Sequence, residues 1–152
     1  MALQDSLADT QMKLMNLVHR SIRTLSFGRV GNTVGSMPVV ELHAVGRKSG
    51  KTRMTMLTTP LHKDGSYVIV ASKGGDDRDP EWYLNIVANP DATLVIENGI
   101  RVDVTARTAT AIEKAEMWPK IVDAYKGYAN YAKKTDRDIP VVICEPRTPS
   151  QP

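Results

Sequence analysis

The stretch Gly46-Arg47-Lys48-Ser49-Gly50-Lys51-Thr52-Arg53 sets four cations and two hydroxyls around two glycines. Glycines free the backbone to turn its N–H groups towards a ligand, and cations with hydroxyls suit phosphate or carboxylate oxygens. The spacing is not that of a P-loop, which needs four residues between its glycines. On composition, anion binding stands level with a plainer reading, a basic hairpin loop facing water. A second stretch, Ala71-Ser72-Lys73-Gly74-Gly75, leaves a strand through a cation into two glycines. The helix start at Asp79-Pro80 follows closely, and strand end, free amides and helix start together make an anion cradle. Asp76 and Asp77 work against bare anion affinity, so a simple connecting loop is the slightly better reading here.

Three of the five tyrosines, Tyr125, Tyr128 and Tyr131, recur at steps of three on a predicted helix. Such a phenol stripe can face a pocket with apolar rings and hydroxyl donors, or half-bury itself against a sheet. Trp82-Tyr83, with Leu84, Ile86 and Val87, reads as core packing. His19, His43 and His62 are scattered, with neither metal-ligand spacing nor a Ser-His-Asp pattern. No carboxylate pair suggests hydrolysis. A reaction whose hard step is carried by a bound cofactor fits this inventory. Cys144, the lone cysteine, lies in the apolar run Val141-Val142-Ile143-Cys144 and reads as a buried strand thiol.

The elements that must position these residues are legible from periodicity. Apolar residues between Gln11 and Arg29 recur at helical spacing with basic residues between them. Gly31 to Ser36 reads as a linker. Strands are predicted over Pro38–Val45, Thr52–His62 (with a break near Pro60) and Tyr67–Ser72, the last two joined by the Asp64-Gly65 turn. Asp79 is expected to cap a helix with Pro80 at its first position, ending at Asn89-Pro90. Thr93–Glu97 and Arg101–Arg107 form a hairpin turned by Asn98-Gly99. A capping box at Thr110-Ala111-Ile112-Glu113 opens a helix reaching about Tyr131. Ile139–Cys144 is the last strand. Hairpin-linked strands that do not alternate regularly with helices argue against a doubly wound parallel sheet and for one antiparallel, barrel-like sheet with helices around it.

The 152 residues suit one domain with a real core. No apolar run approaches the ~18 residues that cross a bilayer, and no signal pattern opens the chain, so a cytoplasmic protein is expected. Charge is unevenly spread: residues 1–53 hold eight Lys and Arg against three Asp and Glu, and the remainder twelve against fourteen. An anionic partner would dock on the front third.

Taken in order, the basic loop, the Ala71–Gly75 stretch, Pro80-Glu81-Trp82-Tyr83-Leu84-Asn85-Ile86-Val87-Ala88-Asn89-Pro90 and Thr135-Asp136-Arg137-Asp138-Ile139-Pro140 through Cys144-Glu145-Pro146 resemble the deazaflavin-dependent nitroreductase family. The resemblance covers about Val39 to Pro146. It implies an α+β fold: a six-stranded, mostly antiparallel split β-barrel with flanking helices, binding coenzyme F420. Residues 38–146 would form that barrel, residues 1–37 the N-terminal helix and linker, and residues 147–152 a loose tail.

The cofactor is polyanionic, with a phosphodiester and an oligoglutamate tail. By resemblance Arg47, Lys48 and Arg53 hold the tail, with Gly50 allowing close approach. Lys73 holds the phosphate region, Ala71 and Ser72 lie near the ring, Thr55 and Met56 approach the deazaflavin, and Trp82 packs beside it. Thr58, Tyr125, Tyr128 and Tyr131 line the substrate side. The implied reaction is hydride transfer to a small-molecule acceptor: a quinone, an activated enone or lactone, or a nitroaromatic. Tyr128 or Ser72 is the expected donor to the anion that forms. Thr58 stands where the best-known relatives carry an aromatic residue, which favours quinones and enones over nitro compounds.

Two alternatives accompany this reading: an FMN-binding split-barrel oxidoreductase, and a non-catalytic carrier of F420. Nucleic-acid binding is not expected. A monomer and a homodimer both fit. The basic N-terminal helix suits either peripheral contact with the inner face of a membrane or, the favoured reading, a cover for the barrel.

Overall fold

The computed structural model describes residues 33–34 and 37–147. The helix expected over Gln11–Arg29, the membrane contact attached to it, and most of the expected tail lie outside the described residues. The strands are β1 (Thr33–Val34), β2 (Met37–Val45), β3 (Thr52–Thr58), β4 (Leu61–Lys63), β5 (Ser66–Val70), β6 (Asp91–Val95), β7 (Arg101–Thr108) and β8 (Val141–Pro146). The helices are α1 (Glu81–Ala88), α2 (Ala111–Ala124) and α3 (Gly127–Lys134), and 3-10 turns cover Lys73–Gly75 and Glu97–Gly99.

Every strand pairing is antiparallel, in the order β3-β2-β6-β7-β8-β5-β4, with β1 folded onto the start of β2. The two end strands, β3 and β4, are consecutive in the chain and separated only by Thr59-Pro60. A seven-strand path can meet that demand only by curling until its edges approach, which yields the split barrel. Thr59, buried at the seam, stitches the edges: its N–H donates to the Pro38 carbonyl (3.0 Å) and its hydroxyl reaches the carbonyls of Leu61 and Val68 (each 2.9 Å).

Among the described residues, eight strands stand where six are expected. One strand predicted over Thr52–His62 divides at Thr59-Pro60, because proline offers no N–H to a ladder, and the expected linker contributes β1. The hairpin turns fall where Asp64-Gly65 and Asn98-Gly99 predict, with φ of 53° and 79° in the first and 62° and 74° in the second.

Alternation along the strands makes two cores. Val40, Leu42, Leu94, Val104, Val142 and Cys144 fill the barrel, closed by Trp82 and Ile86 of α1. Val68, Val70, Val141 and Ile143 face the other way, towards Ile121 of α2 and Tyr128 of α3. β8 feeds both, with buried residues on each face. Cys144 is a buried strand thiol as read from sequence, and burial pushes it up to about 12.

Two helix readings need correction. α1 is capped by Pro80 in extended geometry, not by Asp79, whose carboxylate instead accepts from Arg137 (3.0 Å). The helix opened by the capping box is present, with reciprocal Thr110 and Glu113 bonds, but it stops at Ala124. Tyr125 is extended (φ −155°, ψ 110°), and a separate α3 begins at Gly127. Tyr125 therefore does not share a helix face with Tyr128 and Tyr131.

Candidate functional site

The basic loop leaves β2 at Val45, crosses to β3, and closes on itself through Gly46 N–H to the Lys51 carbonyl and Gly50 N–H to the Gly46 carbonyl (each 2.8 Å). Gly50 holds φ +70° with no other atom near its would-be Cβ, so conformation and not crowding favours glycine there. Asn85, buried on α1, fastens this loop: its Oδ1 accepts from the Arg47 backbone N–H (3.1 Å) and from Arg47 Nη1 (2.9 Å). Arg47 Nη1 also meets Glu81 Oε2 at 2.8 Å.

A cleft of about 310 Å³ opens between this loop and α1. Leu42, Ala44 and Trp82 give it apolar surface; Arg47, Lys48 and Arg53 supply charge; and Thr55 adds a hydroxyl. Glu81 is its one carboxylate among the described residues that line it. The Arg47 hydrogen bond, with further help from the charges of Arg47, Lys48 and Lys73 and against partial burial, holds that carboxyl below its ordinary value. Lys73, carried by the other glycine stretch, thus acts on the same carboxylate as the cleft cations.

That second stretch is a tight left-handed run, with φ of 47°, 64° and 87° at Lys73, Gly74 and Gly75. Arg137 builds it. Its Nη2 donates to the carbonyls of Ala71 (3.1 Å) and Ser72 (3.0 Å), its Nε to the Asp76 carbonyl (2.8 Å), and its Nη1 to Asp79. Asp76 and Asp77, which the sequence sets against anion binding, are both engaged. Asp76 accepts from Arg78, which lowers its pKa, and Asp77 accepts from the Thr135 hydroxyl (2.8 Å). Gly75 lies against α3, where a Cβ would come within 2.9 Å of the Tyr131 carbonyl oxygen.

β3 divides the remaining residues by its pleat. Arg53 and Thr55 face the cleft, whereas Thr58 meets Tyr128 across 3.0 Å, hydroxyl to hydroxyl. Met56 is buried and does not line the cleft. Tyr125, Tyr128 and Tyr131 gather despite the helix break, with ring centroids 5.5 to 6.3 Å apart. Gly127 allows this, since a Cβ there would sit 2.3 Å from the Tyr125 ring. Burial raises the Tyr128 phenol against the opposing Thr58 hydrogen bond. Tyr131 is pushed up to about 12, first by burial and then by Tyr125.

Of the residues singled out by sequence, the cleft brings together Arg47, Lys48, Arg53, Thr55 and Trp82. Thr58 and the three tyrosines form a second group. Ala71 and Ser72 lie buried at the end of β5, bridged to the later chain by Arg137, and Gly50 lies in the basic loop without lining the cleft. Sequence reasoning missed Asn85, Glu81 and Arg137 as site builders, although all three sit inside the motifs it quoted.

The family model for F420H(2)-dependent quinone reductase matches residues 15–146. An F420H(2)-dependent quinone reductase of Mycobacterium tuberculosis is 39% identical over 131 residues, covering 83% of this chain and 86% of that protein. A solved F420-H2 dependent reductase, FDR-A, is 42% identical with a TM-score of 0.64, covering 71% of this chain and 94% of that one. A solved domain-swapped dimer is 39% identical with a TM-score of 0.66, covering 85% and 96%.

Proposed function

The chain belongs to the F420H(2)-dependent quinone reductase family, and from that premise we propose that it reduces quinones at a site built along β3, where the deazaflavin ring and the acceptor must meet for the hydride to pass. It is an oxidoreductase, and its cofactor is coenzyme F420. The observation that carries the proposal is the cleft, where three cations face one carboxylate beside apolar Leu42, Ala44 and Trp82. That donor set fits a polyanionic cofactor with a flat ring.

Arg47, Lys48 and Arg53 would bind the anionic tail, on a loop that Asn85 keeps in place. Lys73 would bind the phosphate region from the turn that Arg137 shapes. Thr55 and Trp82 would flank the deazaflavin, with Ala71 and Ser72 at the end of β5 nearby, whereas Met56, buried on the other face of β3, would not reach it. Once bound in its reduced form, the cofactor supplies the hydride equivalent that the acceptor takes up.

The tyrosine group would serve the acceptor. When Thr58 donates to the Tyr128 oxygen, the phenol O–H is left to donate to an acceptor oxygen as negative charge develops there. The raised pKa of Tyr128 keeps that proton in place at neutral pH. Tyr125 and Tyr131 shield the phenol from water and present ring faces to a planar acceptor. Ser72 is the second candidate donor. With a small residue at Thr58, quinones and activated enones or lactones rank ahead of nitroaromatics. A homodimer is proposed as the assembled form, in line with the related domain-swapped dimer.

The test is titration of the purified protein with reduced F420 and, separately, with FMN, followed by menadione. Selective F420 binding with accelerated cofactor oxidation supports the reading. Binding without turnover against a quinone series would leave a carrier, and FMN binding alone would overturn the site assignment.

A further inference from the structure

Glu81 opens α1 with its side chain 73% exposed, yet it is the partner of Arg47, whose side chain is only 23% exposed. An exposed carboxylate can swing to water at little cost, because such pairs are weak. Arg47 does not need Glu81 for its position. The Oδ1 of buried Asn85 takes both its backbone N–H and its Nη1. Glu81 is also the one negative charge among the described lining residues of a cleft that otherwise presents Arg47, Lys48 and Arg53. The fields of Lys48 and Lys73 reach it as well.

We propose that Glu81 is a built-in competitor anion, occupying Arg47 so that only a multiply charged ligand tail displaces it. This rests on the reading of the cleft as the seat of the cofactor's anionic tail. A tail with several carboxylates and a phosphodiester outbids one tethered carboxylate by engaging the other cations at the same time. A ligand with a single charge gains Arg47 only by surrendering the existing pair, and so gains little. Glu81 thereby sets affinity and selects for tail charge, while α1 and Asn85 keep Arg47 oriented.

The experiment is equilibrium titration of wild type and Glu81→Gln with F420, and with a deazaflavin cut back before its glutamates, by fluorescence at low and high salt. Thermal melts confirm that both proteins are folded. The expected result is a Kd for the full cofactor roughly two- to fivefold lower in Glu81→Gln at low salt. That gain should shrink at high salt and be smaller for the truncated ligand. Unchanged binding in Glu81→Gln, with wild type binding normally, overturns the proposal alone; weaker binding overturns it too and makes Glu81 a positioning residue for Arg47. No F420 binding by wild type overturns the cleft reading and this proposal with it.

Discussion

The hydroxyls of Thr58 on β3 and Tyr128 on α3 meet at 3.0 Å, joining two residues that lie 70 positions apart in the chain. This contact ties the strand beside the cleft to the tyrosine group. Tyr128→Phe removes the phenol donor and keeps the ring packing. Turnover with a quinone should fall about tenfold to a hundredfold, with cofactor Kd little changed. Ser72→Ala is the parallel test. Full turnover in both variants would remove these residues from the chemistry.

Arg137 meets four separate acceptors along the 71–79 segment, so its loss should be felt at a distance. Arg137→Ala should lower stability by about 2–4 kcal/mol and weaken F420 binding about tenfold, because Lys73 loses its support. Arg137→Lys should recover little of either, since a single ammonium cannot span acceptors arranged for a planar fork. Urea denaturation and fluorescence titration read the two effects.

Asn85→Ala should uncouple the basic loop from α1. It leaves the Arg47 backbone N–H without its partner, at a cost of about 1–3 kcal/mol. F420 affinity should drop with kcat largely kept, so the loss appears in KM.

Two glycines give a contrast. Gly50→Ala meets only an unfavourable backbone, and should cost about 1–2 kcal/mol. Gly75→Ala meets the same penalty plus the Tyr131 carbonyl and the Lys134 side chain, each 2.9 Å from the new Cβ. Its melting temperature should fall clearly further than that of Gly50→Ala.

Alkaline pH should weaken the fold in a defined window. Tyr131 rises from an ordinary 10 to about 12 on folding, so the unfolded chain loses this proton first. The stability this group contributes is complete below pH 10 and is lost between about pH 10 and 12. Cys144 acts in the same direction from about pH 9. Urea midpoints should decline across this range, and Tyr131→Phe should flatten the decline.

Local chemistry made much of this fold legible. Asn98-Gly99 and Asp64-Gly65 fix their hairpins, Pro60 announces the break between β3 and β4, and Thr110 with Glu113 caps α2 as their spacing demands. The stop at Ala124 was not legible, because nothing in Tyr125-Lys126-Gly127 forbids a helix. In the structure the Tyr125 ring packs over Gly127, where a Cβ would sit 2.3 Å from it. Asp79 looked like a cap because its type and position suit one, but Arg137, 58 residues later, claims the carboxylate. Asn85 and Arg47 are 38 residues apart, so no window around either reveals that they meet. The cations were readable from composition, whereas the groups that hold them in place depend on tertiary contacts.

The pleat of β3 carries a consequence for how such proteins diverge. Arg53 and Thr55 look into the cleft while Thr58 touches the tyrosines. Neighbouring positions on one strand therefore answer to different pressures. On the proposed assignment, a change at residue 58 should redraw what is accepted without disturbing the grip on the electron source, and a change at 53 or 55 should do the reverse. On that assignment heredity could edit the two halves of the reaction separately, although both would be written along the same seven residues.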